Sequence, residues 1–294
     1  METRETVSAV YYLDQCSSTC VSELVSACCS ELQRMFGDQV VAYKHLCICS
    51  KQHPAKRVEV QASEYAQICA SIGHCDCSAW HVHLEAGFQK RAQSDTVQWS
   101  LHALMNTWGC ASAPVHMIVC NVDLASVSRI VKAEGLRGLL DLFCTWAANS
   151  DHVISGLIDV SHNNDTKAGM YYVIEPSLAS TTWERKRAAS EWRAHTSSEV
   201  AQLCRGVYWG TYLRDDLLQR LSQTVLEEVL DQSAGLAPLE EAPRIVRMRC
   251  GTAVLLSHSP ESMLSAYQED DNARAELRMA TLLSIELRRR RVML

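Results

Sequence analysis

Two stretches of the chain carry the same hydrophobic pattern: an apolar run, an apolar-periodic segment, then a second apolar run. In the first, Val7–Leu13 reads as a strand. Cys16–Phe36 follows as an amphipathic helix, with Val21, Leu24, Val25, Cys28, Leu32, Met35 and Phe36 on one face. Gly37 suits the helix C-terminus, and Gln39–Tyr43 begins another strand. In the second stretch the near-continuous apolar runs Val115–Asn121 and Val153–Ser161 bracket a segment in which Leu136, Leu139, Leu140, Phe143, Trp146 and Ala147 recur at helical spacing. Gly135 and Gly138 interrupt that segment, so a break is expected near Glu134. Neither apolar run alternates strictly with polar residues, which predicts central strands.

The remaining pattern is shorter-ranged. Glu64–Ser71 reads as a short helix, Trp80–Glu85 as a strand with His81 and His83 on one face, and Val97–Leu104 as a further apolar segment. Met170–Ile174 reads as an edge strand, and Thr182–Ala194, Asp215–Leu221, Thr224–Leu230 and Asn272–Arg290 as helices. Asp231–Pro243 is linker-like, and Ile245–Arg249 with Thr252–Ser257 forms a hairpin turning at Cys250-Gly251. The expected fold is α+β: two strand–helix–strand units with additional antiparallel strands and flanking helices, in a single domain over 1–294 or as two pseudo-repeat halves, 1–110 and 111–294.

Composition narrows the class. With 47% hydrophobic and 21% charged residues the chain is globular, and a net charge of -6 argues against a nucleic-acid surface. The basic run Arg288–Arg291 closes the last expected helix, where cations suit the helix dipole. No apolar run approaches the ~20 residues of a membrane helix, and the N-terminus lacks the apolar core of a secretory signal. A cytoplasmic location with reduced thiols is therefore expected, and many of the 14 cysteines then serve as small buried hydrophobes.

Candidate chemistry is sparse. There is no GxGxxG, GxxxxGK[ST], HExxH or GxSxG pattern. The densest ligand group is His74, Cys75 and Cys77 followed by His81 and His83, soft donors of the kind that zinc takes four at a time. The CxC spacing is not the usual CxxC knuckle, and two strand residues in HxH diverge, so buried thiols and strand-facing histidines are the competing reading. A Cys–His nucleophile is conceivable, but with 14 Cys and 11 His nothing in the sequence selects one thiolate. Tyr208, Trp209 and Tyr212 invite a partner-binding role, although packing a helix–strand junction in the core is the more ordinary use of such residues.

Several stretches resemble the immunity proteins of bacterial type VI secretion systems. They are AVYYLDQ with its following helix, WHVHLEAGF, VHMIVCNVDL, EGLRGLLDLFCTWAANSDHVISGLIDV, RGVYWGTYLRDDLLQRL and RCGTAVLLSHSP, in the family's order through nearly the whole chain. The resemblance implies a protein that binds and neutralises a cognate toxic effector stoichiometrically, with no catalysis, cofactor, nucleic acid or membrane. It carries over no functional residue, because such surfaces vary with the toxin. The alternative is a zinc- or thiol-dependent enzyme centred on the His74–His83 cluster.

Overall fold

The structure is a computed structural model that describes residues 6–14, 17–37, 41–47, 58–60, 64–73, 80–86, 98–105, 116–161, 209–219 and 244–255. Met170–Ile174, Thr182–Ala194, Thr224–Leu230, Asp231–Pro243 and Asn272–Arg290 lie outside the described residues. The described strands are β1 (Thr6–Leu13), β2 (Val41–Cys47), β3 (Val58–Val60), β4 (Trp80–Ala86), β5 (Trp99–Met105), β6 (His116–Asp123), β7 (Val153–Ser161), β8 (Gly210–Arg214), β9 (Arg244–Arg247) and β10 (Gly251–Leu255). The helices are α1 (Ser18–Phe36), α2 (Tyr65–Gly73), α3 (Leu124–Leu140), α4 (Trp146–Ala148) and α5 (Asp215–Leu218), with a π-helical turn, Asp141–Thr145, joining α3 to α4.

The fold is α+β. One sheet runs β3-β2-β4-β5-β6-β1-β7-β8-β10-β9, and every neighbouring pair in it is antiparallel. Both expected strand–helix–strand units are present, but neither pairs its own two strands. β1 lies between β6 and β7, and β6, β5 and β4 separate β1 from β2. β6 and β7 are thus parallel to each other across an antiparallel β1, and the helices act as crossovers. The hairpin of β9 and β10 forms as expected, with Arg247 opposite Thr252.

The central strands lack alternation because both their faces are buried. On the helix side Val7, Ala9, Tyr11 and Leu13 pack with Ile118, Cys120 and Val122. On the other side Val10, Tyr12, Val119, Leu157 and Leu213 are also buried.

Helix ends follow local chemistry. Ser17 caps α1 by accepting the Cys20 N–H at 3.3 Å, so the helix starts at Ser18. Gly37 closes it at φ 74°, its N–H reaching Gln33 O at 2.8 Å. Asp123 caps α3 through the Ser126 N–H at 3.0 Å. The break expected near Glu134 falls at Gly135, with φ 63° and ψ -153°.

After that break the chain turns Phe143 and Trp146 onto the sheet. Tyr11 sits against Trp146, ring centroids 4.9 Å apart and edge-on, and donates a hydrogen bond to the Phe143 carbonyl. Its ring lies directly over the backbone of Gly156, its register partner on β7. No helix among the described residues is long and apolar enough to cross a membrane.

Candidate functional site

The ends of three central strands converge on one rim of the sheet. Asp14 follows β1, Asp151 and His152 precede β7, and Arg214 ends β8 immediately before Asp215 and Asp216 of α5. Backbone hydrogen bonds fix the frame: the Asp14 N–H donates to His152 O at 3.0 Å, Cys250 N–H to Ala148 O at 3.1 Å, and Asp215 N–H to Cys250 O at 3.2 Å.

Side chains complete the cluster. His152 Nδ1 lies 2.9 Å from Asp14 Oδ1, and Arg214 Nη1 donates to Asp14 Oδ2 at 2.6 Å and to Asp151 O at 2.8 Å. The same guanidinium binds Asp216 through both oxygens, Nε to Oδ1 at 2.8 Å and Nη2 to Oδ2 at 3.0 Å. Arg214 is thereby held charged more firmly than an ordinary arginine, chiefly by Asp216 and then by Asp14. In return Arg214 keeps the Asp216 carboxyl below the usual carboxylate range. The arrangement carries more carboxylates than cations, and the His152 side chain is 45% exposed.

His116 lies in the same region, opposite Leu13 across β1 and β6, only 6% exposed, with an Nδ1 that has no hydrogen-bond partner. Burial pushes its pKa down, and the nearby Asp14 carboxylate offsets only part of that. An unfolded histidine titrates near 6.5, so below about pH 6.5 the unfolded chain takes up a proton that folded His116 refuses. Stability is therefore fully present above that pH and falls as pH drops toward the folded pKa. Urea midpoints measured between pH 7.5 and 5 should decline less steeply for His116→Phe than for the parent; equal slopes would remove His116 from the acid response.

The residues that the sequence singled out are placed differently. Trp209 is 1% exposed and Tyr212 0%, so both belong to the core, and the partner-binding expectation for them is corrected. Tyr212 faces Gly156 of β7 on the side where Tyr11 packs, and Trp209, immediately before β8, belongs to the same buried core cluster. Burial also pushes the Tyr212 phenol well up. Tyr208 lies outside the described residues, as do His74, Cys75 and Cys77.

His81 belongs to β4 opposite Leu104, and its side chain is likewise outside the described set. His83 faces His102 across β4 and β5, the rings stacked with centroids 3.9 Å apart and planes 15° from parallel. Stacked imidazoles point their lone pairs along two parallel planes rather than toward one ion. No group of three or more His, Cys, Asp or Glu with metal-holding geometry occurs among the described residues. Burial raises the Cys28 thiol and pushes Cys144 to about 12, so neither is an activated nucleophile.

Sequence reasoning missed Asp14, His152 and Arg214. Each lies just beyond an apolar run (LD, DHV, LRDD), where a polar residue reads as ordinary loop chemistry. A rule that polar residues flanking adjacent central strands meet at one rim would have found them, had the strand order been known.

Comparison with protein-family models and with curated proteins gives no match. Among solved structures the chain is similar to a Pseudomonas aeruginosa T6SS protein at 14% identity and a TM-score of 0.49, over 92% of this chain and 73% of that chain.

Proposed function

We propose that the protein is an immunity protein that neutralises a cognate type VI effector in the cytoplasm by one-to-one binding, without catalysis. The observation that carries this reading is the rim at Asp14, His152, Arg214 and Asp216: partly exposed, charged, and fixed by its own hydrogen bonds on a rigid sheet. An inhibitor needs a preorganised surface of roughly 800 Å² per partner and complementary charge to speed encounter, and no reacting group.

The stretches that resemble the immunity family support the same reading. AVYYLDQ, VHMIVCNVDL, DHVISGLIDV, RGVYWGTYL and RCGTAVLL supply β1, β6, β7, β8 and β10, which are contiguous in the sheet although scattered along the chain, while WHVHLEAGF supplies β4, beyond β5. The rim lies at the ends of those strands and its carboxylate excess suits a basic partner face.

The test is co-expression with an effector encoded beside this chain, together with titration of the purified pair. Protection should require at least one copy of the chain per toxin. Protection that survives a large toxin excess would mean turnover and overturn the binding reading. His152→Ala should weaken the complex about tenfold or more, as loss of a central contact does, while costing below about 1 kcal/mol of stability because the pair it breaks is half-exposed.

A further inference from the structure

The hairpin of β9 and β10 closes one end of the sheet, and among the described residues no strand lies beyond β9. The hydrogen bonding of the hairpin decides which backbone groups face outward. The Met248 N–H donates to Gly251 O at 2.9 Å, which closes a tight turn at Arg249 and Cys250. In an antiparallel ladder such bonded pairs alternate with non-bonded ones. Along the register, Val246 opposite Ala253 and Arg244 opposite Leu255 are therefore the pairs bonded to β10. The N–H and C=O groups of Ile245 and Arg247 point away from it. An edge of this kind is a template for one more strand.

Charge specifies which strand. Arg244–Cys250 holds Arg244, Arg247 and Arg249 and no carboxylate, in a chain whose net charge is -6. Arg247 and Arg249 are exposed, and neither is in an ion pair among the described residues. Val246 and Met248 pack against the core cluster, so the strand is anchored while its edge is presented. A second copy of the chain fits this edge poorly. Pairing β9 with its own copy brings the arginines of both chains to one seam, and like charges across a strand pair repel.

The edge is also continuous with the rim. The Cys250 N–H at the turn donates to Ala148 O at 3.1 Å, and its carbonyl accepts the Asp215 N–H at 3.2 Å. One end of a strand laid along β9 therefore comes to the rim.

We propose that the outer edge of β9 is a docking site for an extended acidic segment of a partner protein, which adds to the sheet as a further strand. Main-chain hydrogen bonds to Ile245 and Arg247 supply the attachment, and carboxylates facing Arg247 and Arg249 supply the selectivity. The site goes beyond the immunity reading, because backbone direction and charge define it whatever the partner does.

The test mixes the full-length chain with a capped peptide of alternating glutamate and valine, or with its lysine–valine counterpart. Binding is measured by calorimetry, and amide hydrogen exchange is followed residue by residue. The acidic peptide should bind at least about tenfold more tightly than the lysine peptide, and its binding should weaken as salt rises. It should slow exchange at Ile245 and Arg247 but change Val246 little, since that N–H is already bonded to β10. Ile245→Pro removes an outward N–H and no ladder bond, a placement that edge strands tolerate. This variant should lose peptide binding and keep the parent's melting temperature. Arg247→Glu combined with Arg249→Glu should reverse the preference toward the lysine peptide. The proposal is overturned if the free chain already protects Ile245 and Arg247 as strongly as Val246, whether through a second copy or through its own residues. It is equally overturned if the two peptides bind alike, if neither binds at millimolar concentration, or if protection falls elsewhere than on β9. No effector is present in these measurements, so their outcome is independent of the immunity reading.

Discussion

Gly156→Ala is expected to destabilise the protein by about 3 kcal/mol or more, the upper range for forcing extra volume into a packed core. A Cβ at this position would sit 2.3 Å from Tyr11 Cε1 and 2.5 Å from Cδ1, well inside contact distance. The ring has no easy retreat. Its hydroxyl is tied to the Phe143 carbonyl, one side meets Trp146, and Tyr212 stands 6.5 Å away between centroids. Relief must come from bending β1 or β7, both paired along their whole lengths. Chemical denaturation of the variant measures the loss directly. Tyr11→Leu introduced beside Gly156→Ala should recover part of it, since the clash disappears with the ring, and a double-mutant cycle isolates that coupling. Additive losses would mean that the ring had room to move.

Trp209→Ala is the second large effect, at about 3–5 kcal/mol, the usual range for truncating a fully buried tryptophan. The decisive comparison is between stability and affinity. A buried Trp209 predicts a melting temperature lowered by about 2 °C per kcal/mol in a chain of this size, with unchanged dissociation constant in the molecules that remain folded. Trp209→Phe should restore most of the stability and leave binding untouched. The opposite result, affinity lost at unchanged melting temperature, would return Trp209 to the surface and place the partner on the opening of β8.

The elements of the centre were legible because their signals are local. Mostly apolar stretches of eight or nine residues mark β1, β6 and β7, and the periodic face from Val21 to Leu32 marks α1. Gly135 announced its own kink. Strand order was not legible. That β1 would insert between β6 and β7 depends on tertiary packing that leaves no mark within either unit.

The same gap hid the rim, since Asp14, His152 and Arg214 are neighbours only once β1, β7 and β8 are adjacent. Trp209 and Tyr212 were ambiguous for a different reason: an aromatic side chain serves a core and an interface with the same chemistry, and only tertiary packing distinguishes them.

The position of β1 also sets the order in which the protein is completed. It leaves the ribosome well before its two hydrogen-bonded neighbours, which begin at His116 and Val153. Until β7 has been made, Thr6–Leu13, almost wholly apolar, has one edge with no native partner. Contacts of such long sequence separation form slowly, and an open apolar edge recruits other chains. A nascent chain that stalls before β7 therefore keeps an open apolar edge, and shielding β1 during that interval is expected to raise the yield of folded protein.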